Sequence, residues 1–260
     1  MREFKGVEGW IRKHFYIYQV IRRSAPFLCK YFTLEEGFDF LGSIEAKSPD
    51  FHALDVGAND GTSIRMIQQY LSTNQIVAFD PITKPRFKTL NVDFRAHAVG
   101  EKAAAFEIFT PTIKGYELTQ YSSFDRKKLV EQVLHDLGIP ISDIVVNSRI
   151  VKVIDLDSLS LTPYFIKIDV EGFELEVIKG ALATITSNLP VILIEIQSGE
   201  TFIEVQRVLQ EIGYVSLFVN PKKNLTETLF KRNICEHYDP NFNNYVWIPT
   251  SQSPSWEFRA

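Results

Sequence analysis

Four apolar runs in this sequence end in carboxylates. Phe51-His52-Ala53-Leu54 leads into Asp55-Val56-Gly57-Ala58-Asn59-Asp60-Gly61, and Gln75-Ile76-Val77-Ala78 leads into Phe79-Asp80-Pro81. Phe165-Ile166 opens Lys167-Ile168-Asp169-Val170-Glu171-Gly172, and Val191-Ile192-Leu193-Ile194 runs into Glu195-Ile196-Gln197. Short apolar runs bounded by turn residues read as buried strands. Ligands of an open parallel sheet bind beyond the carboxyl ends of its strands, so the acids are expected on one ligand-facing rim. Such a rim suits a positively charged ligand and repels a pyrophosphate.

Gly57 and Gly61 fit a tight strand-to-helix turn where a missing β-carbon lets backbone approach a ligand. Their spacing lacks the third glycine of the dinucleotide fingerprint. Asp55 is placed to meet a cationic amino group, directly or through water, and Asp80 to accept hydrogen bonds from both hydroxyls of a ribose. S-adenosylmethionine, with an ammonium and a sulfonium and no phosphate, matches these features. An acid in the place of Asp80 also occurs in nicotinamide enzymes. Asp169, Glu171 and Glu195 are the carboxylates placed to take a proton from an attacking hydroxyl. Glu171 has a plainer alternative, a carboxylate complementing the dipole at a helix start. Asp169 and Glu195, with Gln197, also offer the oxygen ligands magnesium prefers, so a divalent metal is a possibility without an assigned ligand set. His97 reads as a packing or hydrogen-bonding residue; His14, His52 and His135 have no partner pattern, and His237 with Cys235 and Glu236 lacks enough ligands for zinc.

The elements that must position these residues alternate from residue 51 onward. Strands are expected over 51–56, 75–79, 92–99, 103–110, 150–154, 165–170, 191–196, 214–219 and 245–248. Helices are expected over 62–71, 84–90, 127–137, from Phe173 to Ile185, and from Phe202 to Ile212. Residues 111–147 read as a polar loop region carrying the helix near Lys127, and this stretch is expected to cover the acceptor side. Alternation of this kind defines an α/β class. The chain divides into an N-terminal helical extension, 1–50, and a core domain, 51–260. In the extension, Trp10, Ile11, His14, Phe15, Ile17, Tyr18 and Ile21 recur at helical spacing among Arg12, Lys13, Arg22 and Arg23. That stripe either packs on the core or meets an anionic membrane peripherally.

The 260 residues carry 45% hydrophobic and 23% charged side chains, the balance of a globular domain with a full core. A net charge of −4 gives no case for a general nucleic-acid binder. Two cysteines, Cys29 and Cys235, lie far apart and argue against a disulfide framework. No apolar run of about 18 residues is present and the start lacks a secretion signal, so a cytoplasmic location is expected.

Several of these segments are similar to motifs of the FkbM family of methyltransferases. Asp55 to Gly61 resembles the first motif, Phe79-Asp80-Pro81 the second, with Asp where Glu is commoner, and Ala98-Val99-Gly100 the close of the third strand. Tyr121-Ser122-Ser123-Phe124 is like a serine-containing loop before the fourth strand. The most specific match is Lys167 to Glu174 followed by Val177-Ile178-Lys179-Gly180, and Ile192 to Gln197 resembles the fifth strand. The resemblance spans residues 51–200. It implies a doubly wound, mostly parallel seven-stranded sheet of the class I, Rossmann-like kind, S-adenosylmethionine as methyl donor, and O-methylation of a hydroxyl on a sugar, glycan or small natural product. Asp55, Gly57, Asn59, Gly61, Asp80, Ala98 and Asp169 are then the expected cofactor-binding residues, with Asp169 near the methionine end. Asp169, Glu171 and Glu195 are the expected catalytic ones, with Glu171 toward the acceptor. The alternatives are a methyltransferase acting on RNA or protein, a nicotinamide-dependent oxidoreductase, and a scaffold without catalysis.

Overall fold

A computed structural model of the chain describes residues 38–71, 75–85, 91–218, 235–240 and 243–258. The basic leader from Trp10 to Leu28, with His14 and Cys29, lies outside the described residues, as do positions 86–90 of the helix expected over 84–90 and the end of the strand expected to reach Val219.

A short 3-10 helix, Phe38–Ser43, precedes β1 (Ile44–Ala46), β2 (His52–Val56), α1 (Thr62–Tyr70), β3 (Ile76–Phe79) and β4 (Val92–Arg95). Next come β5 (Ala98–Val99), β6 (Ala104–Ile113), β7 (Tyr116–Glu117), α2 (Arg126–Leu137) and β8 (Ile144–Ile154). The chain continues through β9 (Pro163–Ile168), α3 (Glu174–Lys179), α4 (Leu182–Asn188), β10 (Val191–Glu195) and α5 (Gly199–Glu211). It closes with β11 (Tyr214–Phe218), β12 (Asn244–Pro249) and β13 (Trp256–Phe258).

Seven strands form the central sheet in the order β11-β12-β10-β9-β2-β3-β4. The five from β10 to β4 run parallel, while β12 is antiparallel to both neighbours. The sheet is therefore mixed within an α/β fold. From β2 the chain steps outward to β3 and β4, then returns to β9 on the other side of β2. That reversal parts the connections leaving β2 and β9 and opens a crevice at their carboxyl ends.

All six residues of β9 are buried, as expected of a strand covered on both faces. Successive side chains point to opposite faces. Ala53, Phe165 and Leu193 meet Ile64 and Ile67 of α1, together with Phe38, Leu41 and Ile44 ahead of the first core strand. Leu54, Ile166 and Ile192 meet Val177 of α3, Ile185 of α4, and Phe202 and Leu209 of α5. The end of the leader thus belongs to the same core, and β1 pairs with β13 beside it.

Three expectations need correction. The strand expected over 92–99 breaks after Arg95, where the His97 N–H turns back to the Arg95 carbonyl. Ala98 and Val99 then leave for a second sheet, β5-β8-β6-β7. Residues 111–147 are not one loop region: β6 pairs with β8 along Ala104–Ile113 and Ile144–Val153. Pro111 does not end the strand, because its carbonyl accepts from the Leu118 N–H and its missing N–H is not needed. The long helix expected from Phe173 to Ile185 divides at Gly180, where a β-carbon would strike the Gly100 carbonyl. Residues between β6 and β8 carry a small core of their own, with Leu118, Tyr121, Val133, Leu137 and Ile139 packed on Ile113.

Candidate functional site

A cavity of about 470 Å³ opens at the carboxyl ends of β2, β3, β9 and β10. Of the residues singled out from sequence, Gly57, Asn59, Asp80, Ala98, Asp169, Glu171 and Glu195 line it. Asp55 and Gly61 do not. Asp55 is fully buried behind the lining, and Gly61 shapes the turn into α1 with a φ of 91°.

The turn after β2 is held from both sides. The Gly57 and Ala58 N–H groups both donate to the Phe79 carbonyl, and the Asn59 N–H donates to Asp80 Oδ2 at 3.0 Å. At Gly57 (φ 88°) a β-carbon would run into the Asp169 carbonyl, so a larger residue would push β2 and β9 apart at the crevice. Asp80 Oδ1 accepts from the Ile82 and Thr83 N–H groups at 2.8 and 2.6 Å. A carboxylate has about four acceptor positions. Three are taken here, which leaves room for about one further hydrogen bond, on Oδ2.

Beneath the rim lies Lys167, only 2% exposed, with its ammonium 2.9 Å from Asp169 Oδ2. Asp55 is its cross-strand neighbour in the β2–β9 register. A lone buried ammonium would cost several kcal/mol; here it has a carboxylate on either side. Ser63 Oγ donates to Asp55 Oδ2 at 2.6 Å, while Asp55 Oδ1 is buried with no hydrogen-bond partner among the described residues. Burial raises the Asp55 pKa, against the opposing pull of Lys167 and the Ser63 hydroxyl. Burial also raises the Asp80 pKa, against its three backbone donors.

Glu171 has a left-handed backbone, φ 54°, and its carbonyl accepts from Ser123 Oγ at 3.1 Å. Burial, then the nearby charges of Asp169 and Glu195, push its carboxyl well above the usual range, and a hydrogen bond from Gln132 opposes them. The carboxylate at the start of α3 is Glu174, which accepts from the Gly172 N–H at 2.7 Å. Glu171 is thereby left to the cavity.

The second sheet and its insert form the opposite wall. Thr119, Gln120, Tyr121, Ser122, Phe124 and Gln132 line the cavity from that side. Thr119 Oγ1 donates to Asn59 Oδ1 at 3.0 Å and ties the insert to the turn after β2. The Phe124 and Phe173 rings lie 4.4 Å apart at the mouth. Among the described residues, His97 Nδ1 and Gln120 Nε2 are buried against the cavity without hydrogen-bond partners. Among the described residues no group of three or more His, Cys, Asp or Glu side chains is arranged to hold a metal ion.

Lys167, Gln120 and Gln132 were not singled out from sequence as site residues, and Gln197 only as an oxygen ligand beside Asp169 and Glu195. Lys167 had a visible signal, a cation inside an otherwise apolar six-residue strand. Gln120 and Gln132 had none, since they lie in a polar segment.

The methyltransferase FkbM domain profile matches residues 55–216, more than half of the chain. The chain belongs to the FkbM methyltransferase family. Comparison with curated proteins yields no match. Among solved structures, the fold is similar to that of a methyltransferase FkbM from Methylobacillus flagellatus KT, at 14% identity and a TM-score of 0.42. That alignment covers 77% of this chain and 44% of the other, so the chain spans less than half the length of that protein. A precorrin-6y C5,15-methyltransferase from Geobacter metallireducens GS-15 aligns at 12% identity and a TM-score of 0.33, covering 80% and 82% of the two chains. The matched domain is a methyltransferase domain and gives no support to the oxidoreductase alternative. Among the described residues no helix is long and apolar enough to cross a membrane.

Proposed function

We propose that this FkbM-family protein transfers a methyl group from S-adenosylmethionine to a hydroxyl oxygen, with Glu171 as the base that takes the hydroxyl proton. In this reading the mixed sheet is a doubly wound class I methyltransferase sheet. The observation that carries it is the gathering of Asp80, Asp169, Glu171 and Glu195 around one cavity above Asp55, with Lys167 as the buried cation among them.

The chain's groups fit the methyl donor as follows. Gly57 and Asn59 offer close backbone, and the remaining acceptor position on Asp80 Oδ2 suits one ribose hydroxyl rather than two. The unpartnered His97 Nδ1 and Gln120 Nε2 suit the polar edge of the nucleoside. Asp169, already oriented by Lys167, would hold the methionine ammonium. When bound, S-adenosylmethionine supplies an activated methyl group on a sulfonium. Placing the acceptor oxygen in line with it and excluding water are tasks for the walls of the cavity. Glu171 then receives the hydroxyl proton on Oε1, which takes no hydrogen bond among the described residues. A raised pKa brings a carboxylate closer to neutral pH, where a base is most effective. Tyr121, Phe124 and Phe173 supply ring faces on the acceptor side, as a sugar or small natural product would require.

Two measurements test the reading. Calorimetry should detect heat with S-adenosylhomocysteine and none with NAD; silence with S-adenosylhomocysteine would end the cofactor assignment. Tritiated-methyl transfer to extract fractions should label glycans or small hydroxyl compounds. Label confined to RNA or protein would replace the acceptor class.

A further inference from the structure

Two amide side chains meet one oxygen of the proposed base. Gln132 Nε2, on α2, donates to Glu171 Oε2 at 3.2 Å, and Gln197 Nε2, just beyond β10, donates to the same oxygen at 3.1 Å. Gln132 Nε2 also donates to Gln197 Oε1 at 2.7 Å, and Gln197 Nε2 makes a longer contact of 3.5 Å with Glu195 Oε1. A primary amide has two N–H donors, so all four are committed inside this cluster. The two amides also fix each other's orientation. Turning either one over would set its carbonyl against a carboxylate oxygen. Of the two carboxylate oxygens of Glu171, the cluster leaves Oε1 open.

We infer that Gln132 and Gln197 are positioning residues for the methyl transfer: together they hold Glu171 Oε2, so that Oε1 alone is presented to the acceptor hydroxyl. The inference rests on the reading of Glu171 as base and extends it to the groups that aim it. The backbone of Glu171 is held as well, by Ser123 Oγ on its carbonyl. Gln132 and Ser123 both belong to the segment between β6 and β8, so seating that segment over the cavity is a condition for aiming the base. A mouth that stayed open would leave Glu171 with Gln197 alone, itself exposed to water.

The test uses the full chain with Gln132→Met and Gln197→Met, which keep side-chain length and remove the N–H donors. Carbon-13 resonances of the glutamate carboxyls are followed through a pH titration, with Glu171→Gln assigning the Glu171 signal. The groups facing Glu171 stay in place in both variants: Asp169 after β9, Glu195 at the end of β10, Glu174 on α3, and Lys128 and Asp136 on α2. Removing a donor that favours the charged form must raise the Glu171 midpoint. Each variant is expected to show that rise and to bind S-adenosylhomocysteine as the unaltered chain does. Each should also lose about 10-fold in tritiated-methyl transfer to extract acceptors, with the pH–rate midpoint displaced upward. An unchanged Glu171 midpoint and rate in both variants would overturn the positioning role and leave the base assignment standing. Full transfer by Glu171→Gln would overturn the base assignment itself, whatever the amide variants do.

Discussion

Asp80 serves two purposes that its place at a strand end does not separate. Its carboxylate accepts three backbone N–H groups, from Asn59, Ile82 and Thr83, and keeps about one acceptor position for a ligand. Truncation should therefore cost stability as well as affinity. Each half-buried N–H left without a partner is worth about 1–3 kcal/mol. Asp80→Ala is expected to lose about 3 kcal/mol or more in urea unfolding along with S-adenosylhomocysteine affinity. Asp80→Asn retains an oxygen for Ile82 and Thr83 while giving up the Oδ2 acceptor. It should lose only the share of stability due to the Asn59 N–H, about 1–3 kcal/mol, and bind the same probe about 10-fold or more weakly, the loss typical of a hydrogen bond to a charged group. Equal affinity in Asp80→Asn would mean that Oδ2 never meets the ligand. Lys167 makes a second residue-level case. Lys167→Met leaves Asp55 and Asp169 without their shared cation and is expected to cost about 3–5 kcal/mol, the range for breaking a buried pair. Adding Asp55→Asn in that background should recover part of the loss; additive effects would show that the two residues do not interact. The acids of this site could be read from the sequence because charge is conspicuous where an apolar run ends. Asp55 was assigned a ligand contact on the same evidence, yet it lies beneath the cavity. Sequence position gives the strand end but not the depth of the side chain.

At the scale of elements, the parallel strands β2, β3, β9 and β10 were legible because each is short, apolar and bounded by turn residues, and their observed bounds fall close to those expected. The second sheet was legible only in part, as the strands expected over 103–110 and 150–154. Val145 to Arg149 do not alternate apolar and polar residues, and their partners lie 33–41 positions upstream, across the whole insert that carries α2. Local pattern holds no record of a pairing at that distance. The insert itself contains a small core, so it should loosen as a unit. Val133 is fully buried in that core. Val133→Asp is expected to speed hydrogen exchange through residues 118–139 while leaving β2, β9 and β10 as protected as before. Methyl transfer should fall with it, because Thr119, Ser123 and Gln132 all reach the cavity from this unit. Loss of protection spread evenly over the central sheet would show that the insert does not fold as a separate layer.

Across the whole molecule, the acids of the rim share one electrostatic consequence. Burial raises the pKa of Asp55, Asp80, Glu171 and Glu174, and for Glu171 the charges of Asp169 and Glu195 raise it further. A group whose folded-state pKa lies above its unfolded value holds more protons when folded in the interval between the two. Stability then falls as pH rises through that interval. The contribution is complete below the ordinary carboxylate range and is lost once pH passes the raised pKa values. Glu171→Gln removes one such group, so the slope of urea stability against pH from acid toward neutral should flatten in that variant. A positively charged ligand acts in the opposite sense. It favours the ionised carboxylates, lowers their pKa values, and must drive protons off the protein as it binds. By the same linkage its affinity must rise with pH over the interval in which those protons are held. Calorimetry of S-adenosylmethionine binding in buffers of different ionisation enthalpy measures that release directly. A net release is expected for S-adenosylmethionine, and a smaller one for S-adenosylhomocysteine, which lacks the sulfonium charge. Identical proton counts for the two would mean that the carboxylates do not sense the charge on the sulfur. The rim would then act through hydrogen bonds alone, and the electrostatic reason for gathering these acids at one crevice would be lost.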